Sequence, residues 1–400
     1  MQIKISPFIP ITLGMLTAFG PFVTDVYLPA MPELADYYRT SAVAVGASLT
    51  AGMLGLASGQ ILIGPLSDKF GRKKLLLLSM ALFVIASLLC VFSPNIQLFN
   101  LFRFFQGMSG AGGVVLSRSI ATDMFRDKQL ADFLALLGAI NGVGTVFAPM
   151  LGGVLTKLAP WQGIFWVLTA IGVILLFCSM RLRETLAPQN RSSRSLPVVY
   201  AQLFGVFGNK RFTLSTLAMM FSFLAFFAYI TASSFIFQQQ YGLSAFEYSI
   251  CFGLNAFCIG IGTWLPTRFH HANTALKWAS IDLFGAACLV AVCQLMRVPL
   301  PILMPCYIYM LICFGMMQPV STAIAMNAER SRAGAASAVF GAASFVAGAI
   351  ASPLVTMGDV LLCSAAVIVA GSLCCMLLTL PLCNTLKREQ MGKAAEGIKS

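Results

Sequence analysis

The chain has 400 residues, of which 58% are hydrophobic and only 10% are charged. A soluble domain is typically about a quarter charged, and disordered chains are poor in large apolar residues, so both classes are excluded. The net charge of +12 first suggests a polyanionic partner. However, the Lys and Arg residues are dispersed along an apolar chain and form no basic face. We therefore expect an integral membrane protein that contacts the lipid bilayer and binds no nucleic acid.

Twelve apolar stretches are long enough to cross a bilayer as helices, which takes about 20 residues each. Charged residues or Pro/Gly clusters bound these stretches along the chain. The predicted helices cover residues 8–30, 43–65, 75–93, 96–117, 131–156, 161–181, 212–237, 246–266, 275–296, 300–324, 333–356 and 359–383. The sequence thus predicts an all-α integral membrane protein with twelve transmembrane helices.

The longest polar connection, residues 182–211, divides the predicted helices into two groups of six. The fifth and eleventh helices share a pattern of small residues before a proline, around Pro149 and Pro353. Such internal repeats are typical of transporters that bind substrate at the membrane midplane. We predict two pseudo-symmetric six-helix halves, residues 1–181 and 212–400, joined by a cytoplasmic linker; the second half ends in a short cytoplasmic tail.

Positive charges are distributed unequally between the two sides of the predicted membrane. Loops opposite the N-terminus carry only Arg39, Lys157 and Arg297, whereas most other Lys and Arg residues fall in loops on the N-terminal side. Positively charged loops remain in the cytoplasm during membrane insertion. The distribution predicts a multi-pass protein with both termini in the cytoplasm, and it accounts for the basic composition without a polyanionic partner.

The 12 cysteines lie almost entirely inside apolar stretches. The chain has no C-x-x-C pair and no Cys/His spacing suited to zinc. We therefore interpret the cysteines as small packing residues and expect no metal site.

The connection after the second predicted helix reads G-P-L-S-D-K-F-G-R-K-K over residues 64–74. One interpretation is a cytoplasmic hairpin in which the glycines permit a tight turn and Asp68 pairs with Arg72. The run also resembles the G-x-L-[SA]-D-[KR]-x-G-[RK]-[KR] signature of the major facilitator superfamily. This resemblance implies an ionic gate that closes the cytoplasmic side in the outward-open state and consists of Gly64, Asp68, Gly71, Arg72 and Asp123.

The fourth predicted helix carries Arg103 about two turns inside its apolar stretch, followed by Gln106 and Gly107. A charge at this depth costs ~2.5 kcal/mol or more, so it needs a partner and indicates function. The alternative is an arginine that extends from the helix end to the outer interface. The R-x-x-Q-G run resembles a superfamily motif whose arginine is associated with proton transfer, which implies a coupling role for Arg103.

The fifth predicted helix contains Gly144, Pro149 and Gly152, with Ala148 before the proline. A general seam of small residues between packed helices is one interpretation. The run also resembles the antiporter motif G-x₃-G-P-x₂-G-G, with alanine in place of one glycine. The resemblance implies antiport, and in physical terms the motif bends the helix and seals its packing against a neighbour.

The first predicted helix ends in T-D-V-Y-L-P-A-M-P, residues 24–32. Asp25 either caps this helix end near the outer interface or faces a cavity as a desolvated, proton-carrying carboxyl. The run is similar to the helix 1 signature of the bicyclomycin-resistance (Bcr/CflA) group of drug:proton antiporters. Residues 227–238 are similar to the helix 7 signature of that group, with Ser234 where proline is usual.

Together these resemblances imply a major facilitator fold and a proton-coupled antiporter, not an enzyme, that exports small drug-like molecules across the bacterial inner membrane by alternating access. We expect Asp25 to carry the proton and Arg103 to set the pKa of the Asp25 carboxyl through a charged pair. The expected substrate cavity is lined by Tyr27, Gln106, Asn141, Tyr229, Ser233 and Phe235. We expect a monomer that binds a small-molecule substrate and protons and needs no cofactor beyond the proton gradient.

Two alternatives remain open. Asp282 in the ninth helix competes with Asp25 as the coupling acid, although we favour its pairing with Lys277. An exporter or importer of an endogenous metabolite on the same fold would share every helix-level feature. An enzyme would show paired acids or His/Cys clusters, and a channel would show a repeated selectivity segment; the sequence shows neither.

Overall fold

The structure, a computed structural model, describes residues 7–193, 195–268 and 272–397. Within these ranges every regular element is a helix. The α-helices are α1 (Phe8–Thr17), α2 (Phe19–Asp25), α3 (Met31–Tyr37), α4 (Ala42–Phe70), α5 (Arg72–Val91), α6 (Ile96–Met124), α7 (Asp127–Leu158), α8 (Gln162–Arg181), α9 (Leu196–Phe204), α10 (Lys210–Phe235), α11 (Ala245–Trp264), α12 (Ala272–Leu295), α13 (Leu300–Ala328), α14 (Ala333–Thr356) and α15 (Val360–Gly397).

Within the described ranges, 11 helical spans are long and apolar enough to cross a membrane. The helix α6 has 29 residues, the length of α4, but it is more polar because it carries Arg103, Arg118 and Asp123. With α6 counted, the described chain contains the twelve membrane-length helices that the sequence predicts. The predicted all-α integral membrane fold is confirmed.

The first membrane span, Phe8–Tyr37, is a broken helix. Helix α2 ends at Asp25, and a 3-10 turn over Leu28–Ala30 precedes α3. Pro29 has no backbone N–H, so the carbonyl of Asp25 loses the donor that a continuous α-helix would supply. The break therefore lies next to the candidate acid, and the span continues well beyond its predicted end at residue 30.

Glycines bring α4 and α6 into direct backbone contact. A Cβ atom at Gly55 would overlap the Phe104 carbonyl, and one at Gly107 would overlap the Gly52 carbonyl. Small residues permit this approach, which gains van der Waals contact where lipid offers no hydrophobic driving force. Helices α11 and α13 approach each other in the same way at Gly262 and Gly315, where added Cβ atoms would also overlap backbone.

The chain packs as two compact units. The first unit comprises Met1–Ala201 and Ser234–Gly253, and the second comprises Gln202–Ser233 and Leu254–Ser400. In the first unit α5 packs against α6 and α8, while α1 and α2 lie against α6 and α7. In the second unit α12 packs against α13 and α15. The units place the end of α10 and the start of α11 with the N-terminal helices, and the predicted division at 182–211 stays a prediction.

The predicted linker is partly folded and is attached within each unit. The Tyr200 hydroxyl on α9 donates a hydrogen bond of 3.2 Å to the Leu62 carbonyl in the first unit. The Asn209 amide donates one of 2.9 Å to the Ala328 carbonyl in the second unit. A 3-10 turn over Gly205–Gly208 lies between these two attachment points.

We expect Gly107→Ala to destabilise the protein by about 1–3 kcal/mol, because its Cβ would force α4 and α6 apart. Thermal unfolding in detergent measures the effect. Gly64→Ala is the matched control, since a Cβ there meets only the Val115 side chain at 3.8 Å. Equal melting temperatures for the two variants would contradict the proposed backbone contact.

Candidate functional site

Asp25 lies at the C-terminal end of α2 and is only 4% exposed. A carboxylate at this end of a helix faces the negative end of the helix dipole, so it does not act as a favourable cap. The neighbouring Thr24 hydroxyl bonds to the Gly20 carbonyl at 3.1 Å, within its own helix. Sequence and local fold thus place a buried acid directly at the break in the first span.

Arg103 of α6 is fully buried, and its hydrogen-bond partners are neutral. One terminal nitrogen donates to the Val23 carbonyl at 2.8 Å, and the other donates to the Gln106 side-chain oxygen. The guanidinium carbon lies 4.2 Å from the centre of the Tyr27 ring, a cation–π distance. A Cβ at Gly52 would lie 3.1 Å from the guanidinium, so this glycine makes room for it.

The charged pair predicted between Asp25 and Arg103 is not formed in this structure. Ion pairs among the described side chains are Arg72–Asp68, Arg72–Asp123, Arg191–Glu184 and Arg332–Glu329. Arg103 is instead stabilised by a carbonyl dipole, an amide and an aromatic face. Its contacts with the first span lie on either side of Asp25, at the Val23 carbonyl and at the Tyr27 ring. The roles of Asp25 and Arg103 in proton coupling stay predictions.

Gln106 and Tyr27 extend the polar contacts of Arg103 to two further helices. The Gln106 amide nitrogen donates to the Ser87 hydroxyl of α5 at 2.8 Å. The Tyr27 and Ser48 hydroxyls are 3.1 Å apart, which connects the first span to α4. Sequence reasoning missed both serines, which look like ordinary small residues in apolar helices. Because the Gln106 amide already bonds at both ends, its role in a substrate cavity stays a prediction.

The other predicted cavity residues are distributed over both units. Asn141 is partly exposed on α7, and Phe235 at the end of α10 is buried; both belong to the first unit. Tyr229 and Ser233 are buried in the part of α10 that belongs to the second unit. A single cavity lined by all of the predicted residues therefore stays a prediction.

Tyr229 belongs to a buried network of neutral side chains in the second unit. Its hydroxyl accepts a hydrogen bond of 2.6 Å from the Asn255 amide, and its ring centre lies 4.9 Å from that of Tyr307. The Gln294 amide donates to the Tyr307 hydroxyl at 2.7 Å and to the Ser364 hydroxyl at 3.3 Å. Charge alone could not reveal this network, but neutral amides inside apolar helices are the signal that would have found it.

The predicted gate residues with charged side chains do come together. The Arg72 guanidinium lies 2.5 Å from the Asp68 carboxylate and donates through Nε to Asp123 at 3.1 Å. It also donates to the Ser67 hydroxyl at 2.6 Å. Gly71, at φ +100°, makes the one-residue break between α4 and α5, whereas Gly64 lies inside α4 rather than in a turn. The gating role of the cluster stays a prediction.

Glu184, which sequence reasoning missed, completes this cluster. Its carboxylate accepts hydrogen bonds from the backbone N–H groups of Arg72 at 3.0 Å and Lys73 at 3.3 Å, so it caps α5. A Cβ at Gly71 would overlap this carboxylate, which explains a second need for glycine there. Glu184 lies 112 residues from Arg72 in the polar linker, so no local pattern connects the two.

The predicted antiporter segment of α7 packs against the first span. A Cβ at Gly144 would lie 3.2 Å from the Ala18 Cβ, and one at Gly152 would overlap the Val26 carbonyl. Pro149 lies inside α7 between these contacts. The segment thus holds α7 against the break that contains Asp25, and its significance for antiport stays a prediction.

Ser234 and Gln238 bind the other side of the same break within the first unit. The Ser234 hydroxyl donates to the Leu28 carbonyl at 2.7 Å, and the Gln238 amide donates to the Pro29 carbonyl at 3.2 Å. Both acceptors belong to the 3-10 turn, whose carbonyls a regular helix would have used internally. A proline at position 234 could not donate this bond. The serine that departs from the Bcr/CflA-like pattern therefore stabilises the break with a hydrogen bond.

Asp282, the competing acid, is partly exposed on α12. It belongs to none of the ion pairs among the described side chains, so the favoured pairing with Lys277 is not formed in this structure. Asp25 is the more deeply buried of the two acids.

We expect Glu184→Gln to lower the free energy of unfolding by about 1–2 kcal/mol, because α5 loses its charged cap. The melting temperature in detergent measures this loss. Asp132→Asn is the control, because Asp132 is exposed and belongs to none of the described ion pairs. If both variants melted at the wild-type temperature, the capping role of Glu184 would be refuted.

The fold is similar to that of a solved transporter. It superposes on a bacterial homologue of the human lysosomal transporter Spinster with a TM-score of 0.72 and 16% sequence identity, over 95% of this chain and 96% of that one. At this level of identity the likeness concerns the fold alone.

Similarity in sequence is closer for bacterial proteins. The chain is 36% identical over 353 residues to the uncharacterized MFS-type transporter YdgK of Bacillus subtilis, covering 87% of this chain and 88% of that protein. It is 30% identical over 262 residues to the bicyclomycin resistance protein homolog of Haemophilus influenzae, covering 65% of each chain. The Major Facilitator Superfamily profile matches residues 13–352. The chain therefore belongs to the major facilitator superfamily of membrane transporters.

Proposed function

We propose that this transporter is a proton-coupled antiporter of the bicyclomycin-resistance type that exports small drug-like molecules by alternating access. The observation that carries the proposal is Asp25, a carboxyl 4% exposed at the break in the first span and outside every described ion pair. A buried acid without a basic partner is suited to taking up and releasing a proton. The name of the Haemophilus relative supports a drug-like substrate.

In the proposed cycle Asp25 takes a proton from the outer side and releases it to the cytoplasm, while substrate moves outward. Arg103 is a positioning residue, since it holds the Val23 carbonyl and with it the end of α2. Substrate binding and protonation oppose each other, so each lowers the affinity for the other by the same factor. Protonation therefore ejects the substrate on the outer side.

The cluster of Asp68, Arg72, Asp123 and Glu184 is the proposed conformational gate. It connects the start of α5 to the end of α6 and to the linker through charge-assisted hydrogen bonds. Opening requires these bonds to be exchanged for water, and closing restores them. The cluster thus sets the rate of one conformational step and leaves substrate binding unaffected.

We infer that the protein lies in the bacterial inner membrane with both termini in the cytoplasm, from the charge distribution of its loops. The proposed transporter works as a monomer and uses the proton gradient in place of a cofactor. An exporter of an endogenous metabolite is the alternative, and a panel of drugs and metabolites separates the two in one assay.

We expect Asp25→Asn to abolish substrate-driven proton movement, because an amide cannot exchange a proton near neutral pH. The measurement is a pH-sensitive dye in inverted membrane vesicles, with a compound panel added to wild type and variant. Substrate binding to the purified variant, measured separately, should persist and show that it folds.

Asp282→Asn is the matched control for the coupling acid, and we expect it to keep the wild-type response. A normal dye response from Asp25→Asn would exclude Asp25 as the proton carrier. Loss of the response only in Asp282→Asn would assign coupling to Asp282 instead.

We expect Asp68→Asn to slow turnover about fivefold while leaving substrate affinity within twofold of wild type. The Asp68 side chain is half-exposed, so its pair with Arg72 stabilises the closed gate by at most about 1 kcal/mol. Lys74→Gln, an exposed neighbour outside the described ion pairs, should leave both quantities unchanged. Parallel losses of affinity and turnover in Asp68→Asn would show that the cluster is not a gate.

A further inference from the structure

Two cysteines face each other between α12 and α13 in the second unit. The Sγ atoms of Cys293 and Cys306 are 3.8 Å apart, and the two residues are 8% and 9% exposed. All 12 cysteines of the chain are free thiols in the structure. No other pair of cysteine sulfurs in the described part of the chain makes such a contact. This pair is therefore distinct from the cysteines that only fill space.

The connection between α12 and α13 holds the two thiols in place. Helix α12 ends at Leu295, and the Val298 N–H returns to the Cys293 carbonyl at 3.2 Å. Arg297 adopts φ +50°, which closes this short turn before α13 starts. A disulfide has an S–S length of ~2.05 Å, so the sulfurs need to approach by only about 1.8 Å. We expect side-chain rotation within the hairpin to supply a movement of this size.

The thiol pair lies beside the neutral network of the second unit. Gln294 follows Cys293, Tyr307 follows Cys306, and the Gln294 amide donates to the Tyr307 hydroxyl at 2.7 Å. Tyr307 in turn packs on Tyr229, with ring centres 4.9 Å apart. A covalent bond between the cysteines would therefore fix the same helix turns that carry this hydrogen bond.

We propose that Cys293 and Cys306 are a redox modification site, at which a small neutral oxidant of the peroxide class forms an internal disulfide that slows transport. One thiol attacks the peroxide O–O bond, which gives a sulfenic acid and one water. The second thiol attacks that sulfur, forms the S–S bond and releases a second water. The two thiols lose two electrons in total, the peroxide gains them, and a dithiol reductant reverses the bond.

The predicted topology places the Arg297 connection on the outer side of the membrane, where disulfides persist. The consequence for transport rests on the proposed function, because it concerns the turnover of the exporter. The formation of the bond rests only on the geometry of the hairpin. The two parts are therefore tested by separate measurements on the full chain.

The chemical test treats the purified protein with hydrogen peroxide, alkylates the remaining thiols and maps the peptides by mass spectrometry. We expect two fewer alkylated cysteines and one linked peptide joining Cys293 to Cys306, both reversed by dithiothreitol. Cys363→Ser, which removes a thiol outside the pair, should still form the linked peptide. Cys293→Ser and Cys306→Ser should each lose it. Absence of the link in wild type, or its persistence in either pair variant, would overturn the proposal.

The functional test measures transport in vesicles before and after peroxide. We expect turnover to fall about twofold or more, as for an energetic coupling of ordinary size, and to recover with dithiothreitol. The Cys293→Ser variant should show no such loss. A disulfide that forms without changing turnover would overturn the regulatory part. Vesicles that transport nothing even before oxidation would count against the proposed function instead, while the linked peptide still decides the modification site.

Discussion

The first unit is organised by the need to bury a cation without a carboxylate. Arg103 is fully buried in α6, and its charge is balanced by the Val23 carbonyl, the Gln106 amide and the Tyr27 ring. Val23 and Tyr27 belong to the first span and Gln106 to α6 itself, while Gly52 on α4 makes room for the guanidinium. These contacts attach α6 to the first span on both sides of the candidate acid, whereas the helix break follows from the proline after it.

The two units differ in the charge of their buried polar side chains. In the first unit a carbonyl and neutral side chains surround the charge of Arg103, and the buried acid Asp25 does not pair with it. In the second unit the amides of Asn255 and Gln294 and two tyrosine hydroxyls form a neutral network. These side chains are neutral amides and phenols, so the network contains no carboxyl group for proton exchange. From this contrast we propose that the first unit handles protons and that the second provides shape and hydrogen bonding.

Helix positions could be predicted from the sequence because each apolar stretch has to cover the hydrocarbon thickness. The Asp68–Arg72 ion pair was predictable for another reason, since the two residues are four positions apart and lie on either side of the one-residue break at Gly71. The missing Asp25–Arg103 pair was not predictable, because carbonyl dipoles and aromatic faces that replace a carboxylate leave no trace in charge patterns. The role of Glu184 was not predictable for another reason. Its partner Arg72 lies 112 residues away, and only the fold brings the two together. Pro29 was visible, yet its effect on the carbonyl of Asp25 required the helix to be traced.

The attachment of the linker at Tyr200 and Asn209 has a consequence for how the molecule can move. Bonds to Leu62 and Ala328 fix these two residues, so the part of the linker between the two attachments is the segment 201–208 and not the whole polar stretch. That segment ends in the 3-10 turn Gly205–Gly208, and a Cβ at Gly208 would meet no atom within 4 Å. Glycine at an uncrowded position supplies backbone freedom at low steric cost. The backbone between the two attachments therefore has room to adjust at Gly208, whereas Val206 in the same turn is fully buried and is held by its packing.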